Sequence, residues 1–199
     1  MSKKLFIVLF LFILQVGCSN TQIESSKGYS KTVKNLPAST SIQKLTKETI
    51  NDRYKNVTDI NFEDYKRTDN VNYLSFSFKY NSLTYYGFTV AREKGDQWEL
   101  AYFEDTPNDQ KEGIMIYQFI GTYPGTVDRE FHITAGYVNS KQISQLYLYY
   151  PHSNVRIIKL ADDQHGFLDV DMDPKNSLLK IEGRSNNEIT LYKKDFKIN

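Results

Sequence analysis

Residues 73–80 alternate strictly: Leu74, Phe76, Phe78 and Tyr80 are interleaved with Tyr73, Ser75, Ser77 and Lys79. Successive side chains of a strand point to opposite faces, whereas a helix repeats every 3.6 residues, so this run specifies a strand with one apolar face. Its neighbours follow the same logic. Ile60, Phe62 and Tyr65 mark a strand before it, Asn81-Ser82 turns the chain into Tyr85–Ala91, and Lys94-Gly95-Asp96 turns it again into Trp98–Phe103. Runs of aromatic and β-branched residues separated by Asn, Ser, Gly and Asp predict a four-stranded antiparallel meander.

One helix is expected to cover that meander. Thr40-Ser41-Ile42-Gln43 fits a capping box, in which the Thr hydroxyl and the Gln side chain satisfy backbone donors at the helix start. Ile42, Leu45, Thr49, Ile50, Tyr54 and Val57 then share one face, with Lys44, Lys47, Glu48, Asn51, Asp52 and Lys55 on the other. Mixed charges and few aromatics favour packing on the sheet over lying on a membrane. Residues 40–106 therefore read as a small α+β domain, with Trp98 as a core anchor beneath the helix. The hairpin Ala91–Leu100 resembles the charged-turn, Trp-bearing hairpin of small cystatin-like or nuclear-transport-factor-like domains of secreted proteins.

Thr106–Gly113 is polar and contains Pro107 and Gly113, which places a domain boundary there. Seven strands are predicted beyond it: Ile114–Gly121, Glu130–Val138, Ile143–Tyr150, Val155–Leu160, Phe167–Asp171, Leu178–Gly183 and Glu188–Lys193. Short strands at regular spacing without a helix predict an all-β sandwich over 112–197. It is Ig-like in architecture alone, since the Cys…Trp…Cys core of immunoglobulin domains is missing. Thr134–Ile143, Leu146-Tyr147-Leu148, Arg156-Ile157-Ile158, Gly166-Phe167-Leu168, Ile181-Glu182-Gly183 and Ile189–Tyr192 together resemble a β-sandwich domain of exported proteins from low-GC Gram-positive bacteria. That resemblance implies fold and compartment, and no activity.

The chain has 199 residues, 40% of them hydrophobic, with 25 Lys+Arg against 24 Asp+Glu. That composition excludes a disordered tail and a multispanning membrane protein, and the balance gives no electrostatic reason for nucleic-acid binding. The first residues stand apart. Met1-Ser2-Lys3-Lys4 precedes the apolar run Leu5–Leu14, which is too short to span a bilayer and the right length for the core of a signal peptide. Gln15-Val16-Gly17-Cys18 follows, holding the only cysteine. This resembles the lipobox of bacterial lipoproteins, with Gln15 in place of the family's usual leucine. The resemblance implies removal of residues 1–17, lipidation of Cys18 and anchoring on the outer side of a cytoplasmic membrane. Residues 18–39 are polar and aperiodic, and read as a flexible tether. Lys outnumbers Arg 19 to 6, and Asn and Tyr each occur 15 times. These residues have A/T-rich codons, which points to a low-GC, Gram-positive bacterium.

Chemistry is harder to find. His132, His152 and His165 have no metal-ligand spacing, and with Cys18 committed to lipid no thiol nucleophile remains. No nucleophile elbow, P-loop or dinucleotide fingerprint occurs. No catalytic residue, metal or cofactor is expected. Asp169, Asp171 and Asp173 superficially follow a calcium loop, but Pro174 and Lys180 stand where its glycine and bidentate acid belong. Strand alternation instead puts these three carboxylates on a solvated face and Leu168, Val170 and Met172 in the core. Tyrosine is the remaining signal. Tyr147 and Tyr149 share the face opposite Leu146, Leu148 and Tyr150, and Tyr85-Tyr86 crowd another strand. The four form a possible contact patch; the alternative, that the Tyr147 face packs on the helix-bearing domain, is the favoured one. The expectation is a lipid-anchored binding module of the cell envelope whose partner is an envelope protein or wall polymer. The rival is an envelope hydrolase or small-ligand carrier with a site in the interdomain cleft.

Overall fold

The computed structural model describes residues 30–32, 38–152, 155–173 and 175–197. Helix α1 (Ala38–Arg53) opens two residues ahead of the expected Thr40 cap. Proline stands immediately before it in the sequence. Ile42, Leu45 and Ile50 are fully or almost fully buried, as their spacing predicts. Thr46 joins them, its hydroxyl donating to the Ile42 carbonyl at 2.7 Å and lying 2.9 Å from Thr89 Oγ1. The helix ends at Arg53, and Asn56 takes a left-handed backbone with φ 61° where the chain turns toward the sheet.

Five strands form the sheet under α1: β1 (Ser30–Thr32), β2 (Thr58–Thr68), β3 (Val71–Tyr80), β4 (Leu83–Lys94) and β5 (Gln97–Pro107), in the order β1-β5-β4-β3-β2. The four-stranded meander is as expected. β1 is an addition, pairing Ser30 with Glu99 and Thr32 with Gln97 within the span read as tether. Asn81 and Ser82 both have positive φ and close the two-residue β3–β4 turn, whose twist matches that of the strands it joins. Beneath the helix, Leu74, Phe76, Phe78, Leu100, Phe103 and Trp98 pack with Ile42, Leu45 and Ile50 in a first core.

The other seven strands fall within two residues of their expected spans. β6 (Ile114–Thr122), β7 (Glu130–Val138) and β10 (Gly166–Asp171) make a three-stranded sheet in the order β10-β7-β6. β8 (Gln145–Tyr149), β9 (Arg156–Lys159), β11 (Lys180–Arg184) and β12 (Thr190–Asp195) make a four-stranded one in the order β12-β11-β8-β9. All strand pairs are antiparallel. The fold is thus one helix with antiparallel sheets, in sandwich-like layers.

The three-stranded sheet sits between the other two. Val71, Tyr73, Phe88 and Val90 from the five-stranded sheet meet Phe119, Phe131, Ile133, Ala135 and Leu168 in a second core. This core draws on residues from both sides of 107–113. It also explains why the interleaved residues Tyr73, Ser75 and Ser77 are buried. On the far side, Ile114, Val138 and Phe167 meet Leu146, Leu148, Tyr150 and Ile181 in a third core. A polar seam ties β10 to β2. The His165 N–H donates to Glu63 Oε2 at 3.1 Å and the Leu168 N–H to Asp64 Oδ2 at 3.1 Å, while Ser77 Oγ donates to Glu63 Oε1 at 2.8 Å.

Candidate functional site

The outer face of the four-stranded sheet follows from strand parity. Leu146 and Leu148 of β8 enter the third core, so Tyr147 and Tyr149 project the other way. On β11, Ile181 is buried, and the outward positions are Lys180, Glu182 and Arg184. Register sets Tyr147 against Glu182, Tyr149 against Lys180, and Gln145 against Arg184. Two cation–aromatic contacts result. Lys180 Nζ lies 3.6 Å from the Tyr149 ring centroid, and the Arg184 guanidinium carbon lies 3.9 Å from that of Tyr147.

Glu182 stands between these contacts. It accepts from Arg184, from Lys180 Nζ at 2.9 Å and from Tyr149 Oη at 3.0 Å. Those hydrogen bonds, Arg184 first and Lys180 next, hold its carboxyl down at about 2. An acid so held is a fixed counter-ion that keeps the two cations over the two rings. Next to Tyr147 in register, Ile157 of β9 is 51% exposed, and Val155 at 42% and Leu191 at 43% lie toward the two edges. No described element packs on this face. The packing favoured by the sequence is not formed, because the helix-bearing sheet instead buries its second face on β6, β7 and β10.

The remaining tyrosines lie elsewhere. Tyr85 is half-buried at the end of the helix-covered core, stacked on Phe78 with ring centroids 5.2 Å apart. Tyr86 is 3% exposed, faces Tyr137 between the five- and three-stranded sheets, and has its phenol pushed up to about 12 by burial. Neither joins Tyr147 and Tyr149 in one patch. A void of about 10 Å³ beside Tyr86, Phe88, Tyr117 and Ala135 holds at most one water. Cys18 lies outside the described residues.

The acidic stretch departs from its expected solvated face. Asp173 is exposed, but Asp169 and Asp171 are mostly covered and turn to Arg156 of β9. Arg156 Nη1 reaches Asp169 Oδ2 at 2.8 Å, and its other terminal nitrogen bonds Asp171. Tyr150 Oη donates to the same Asp169 oxygen at 2.7 Å, and Asn176 donates to Asp171. Burial would raise the Asp171 carboxyl, yet the Asp173 N–H, Asn176 and Arg156 together hold it below the usual range. The cause of the departure is the third layer: β8 and β9 cover this face of β10, so its carboxylates must find partners. Leu168, Val170 and Met172 face the second core as expected.

Lys180, Glu182 and Arg184 were not singled out from sequence, although Lys180-Ile181-Glu182-Gly183-Arg184 is a clean alternation of charge and apolar or small residue. Its period of two was the available signal. No helix among the described residues is long and apolar enough to cross a membrane. No family model, curated protein or solved structure matches the chain.

Proposed function

We propose that this chain is a lipoprotein, anchored through Cys18 on the outer side of a bacterial membrane, and that it acts in the cell envelope by binding and not by catalysis. The apolar run Leu5–Leu14 and the lone cysteine after Gly17 support the anchor. The observation that carries the binding reading is the open face of Tyr147 and Tyr149, each with a cation held over its ring. Aromatic and arginine side chains gathered on one exposed face are the composition of interaction hot spots. By strand parity that face carries Lys159, Lys180, Arg184 and Lys193 against Glu182 and Asp195, so it favours an acidic partner, an envelope protein or wall polymer. The finer architecture belongs to the same proposal: a helix-covered unit over 40–106 and an Ig-like sandwich over 112–197, docked through the second core.

Crosslinking of the full chain in its own cells tests this reading, beside Cys18→Ala and a Tyr147→Ala, Tyr149→Ala double variant. A discrete product is expected that Cys18→Ala abolishes and that the double variant weakens at least about tenfold, the loss typical of one hot spot. A product indifferent to both tyrosines, or none from a lipidated chain, would overturn it.

A further inference from the structure

At one end of the sandwich three loops meet: 139–144 between β7 and β8, 160–165 between β9 and β10, and 185–189 between β11 and β12. They enclose a cavity of about 90 Å³. At roughly 10–15 Å³ per water this is room for several waters, the scale of one small ring and not of a polymer.

The loops are braced from within. Ser144 N–H donates to the Arg184 carbonyl and Leu160 N–H to the Ser144 carbonyl, each at 2.9 Å, so all three loop regions share one hydrogen-bonded ladder. The Gln164 side chain closes its own loop, accepting from the Ala161 N–H at 3.2 Å and donating to the Gly166 carbonyl at 2.9 Å. His165 stacks on Tyr137 with ring centroids 5.3 Å apart. Its Nδ1 lies 2.9 Å from the Val138 carbonyl, which can only accept, so Nδ1 donates there and fixes the ring against the loop. The cavity is therefore preformed.

Its lining has two parts. Leu160 supplies a small apolar part, with Val138 and Ile143 almost wholly buried behind it. Ser140, Gln142, Asn186 and Asp162 supply hydroxyl, amide and carboxylate groups that no side-chain hydrogen bond within the described chain consumes. The single lining cation, Lys141, offsets the single carboxylate, Asp162, so the cavity selects for neither sign of charge. Amides and hydroxyls both donate and accept, which is what a ligand hydroxyl also does. A ring with one C–H face and a rim of hydroxyls meets both demands.

From this lining we infer that the loop-end cavity binds a neutral polyhydroxylated ring, a single sugar residue. The site is separate from the Tyr147 and Tyr149 face, and its occupancy does not depend on the anchor.

Saturation-transfer NMR on the full chain in detergent, with methyl glucoside and N-acetylglucosamine as probes, tests the inference. Saturable binding of at least one sugar is expected in the millimolar range, weakened about tenfold or more in the Asp162→Ala, Asn186→Ala double variant. Both side chains are exposed, so the variant's circular dichroism should match the parent's; Gln142→Ala is a second, independent probe of the same lining. Tyr147→Ala should leave sugar binding unchanged. The inference fails if neither sugar binds saturably, if acetate or inorganic phosphate occupies the cavity in their place, or if binding ignores both cavity variants.

Discussion

Tyr73 is fully buried against Phe131, with ring centroids 5.7 Å apart, and its hydroxyl has no hydrogen-bond partner among the described residues. A buried hydroxyl that has given up water for nothing destabilises the fold by roughly 1–3 kcal/mol. Tyr73→Phe should therefore raise stability by about 1 kcal/mol in urea unfolding, and a loss of stability would refute this account of the hydroxyl. His132 is 2% exposed and carries a second residue-scale consequence. Burial lowers its pKa from 6.5, against a weaker opposing pull from the Asn176 carbonyl, Asp171 and Asp169. As pH falls below about 6.5 the unfolded chain takes up a proton that the folded chain resists, so stability falls with pH through that window. The Asp64 carboxyl, raised by burial, acts in the opposite sense from 3.8 upward. Since Asp64 persists in a His132→Gln variant, comparing the two proteins isolates the histidine. The variant should lose less stability than the parent between about pH 7.5 and 5.5; equal slopes would remove His132 from the account.

At the scale of elements, β2 shows how one irregularity joins two sheets. Its pairing with β3 slips between Phe62 and Asp64, a bulge that leaves Glu63 unpaired in the register. With the slip, Glu63 and Asp64 both reach β10, where they accept the His165 and Leu168 N–H groups. Each is a hydrogen bond to a charged group, worth about 1.5–3 kcal/mol. Replacing both by alanine should speed hydrogen exchange at the His165 and Leu168 amides far more than at β3 amides. Uniform acceleration would mean that global opening, not this seam, protects them. The bulge had a trace in the sequence. Ile60 and Phe62 keep period two, but the next apolar residue is Tyr65, at an odd offset, and all three pack under the helix. What could not be read was the destination of the displaced carboxylates, because β10 lies about a hundred residues further along the chain.

For the whole molecule, the second core decides cooperativity. It is built from β3 and β4 on one side and β6, β7 and β10 on the other, so neither half can expose it without putting Phe88, Phe119 and Phe131 in water. Fully burying a side chain of that size contributes about 1.5–3 kcal/mol. The two halves should unfold in one transition. Trp98 fluorescence, which reports the first core, should lose its native signal at the same urea concentration as NMR signals of Leu148 and Ile181 in the third. Two separated midpoints would mean that the halves are thermodynamically independent.

Strand spans, turns and the helix are local matters, governed by periodicity and by residues such as Asn81 and Gly95 whose backbones are tolerant of positive φ. The sequence by itself therefore determined the helix and every strand but β1, the parity that puts Tyr147 and Tyr149 on one face, and the alternation of Lys180, Glu182 and Arg184. Only the tertiary structure decided which faces are covered. The Asp169 and Asp171 face read as solvated and is mostly covered by a neighbouring sheet, while the Tyr147 face read as a contact and is open. Alternation states that a strand has two different faces. Which of them meets water depends on layers brought together from distant parts of the chain, and no local period encodes that.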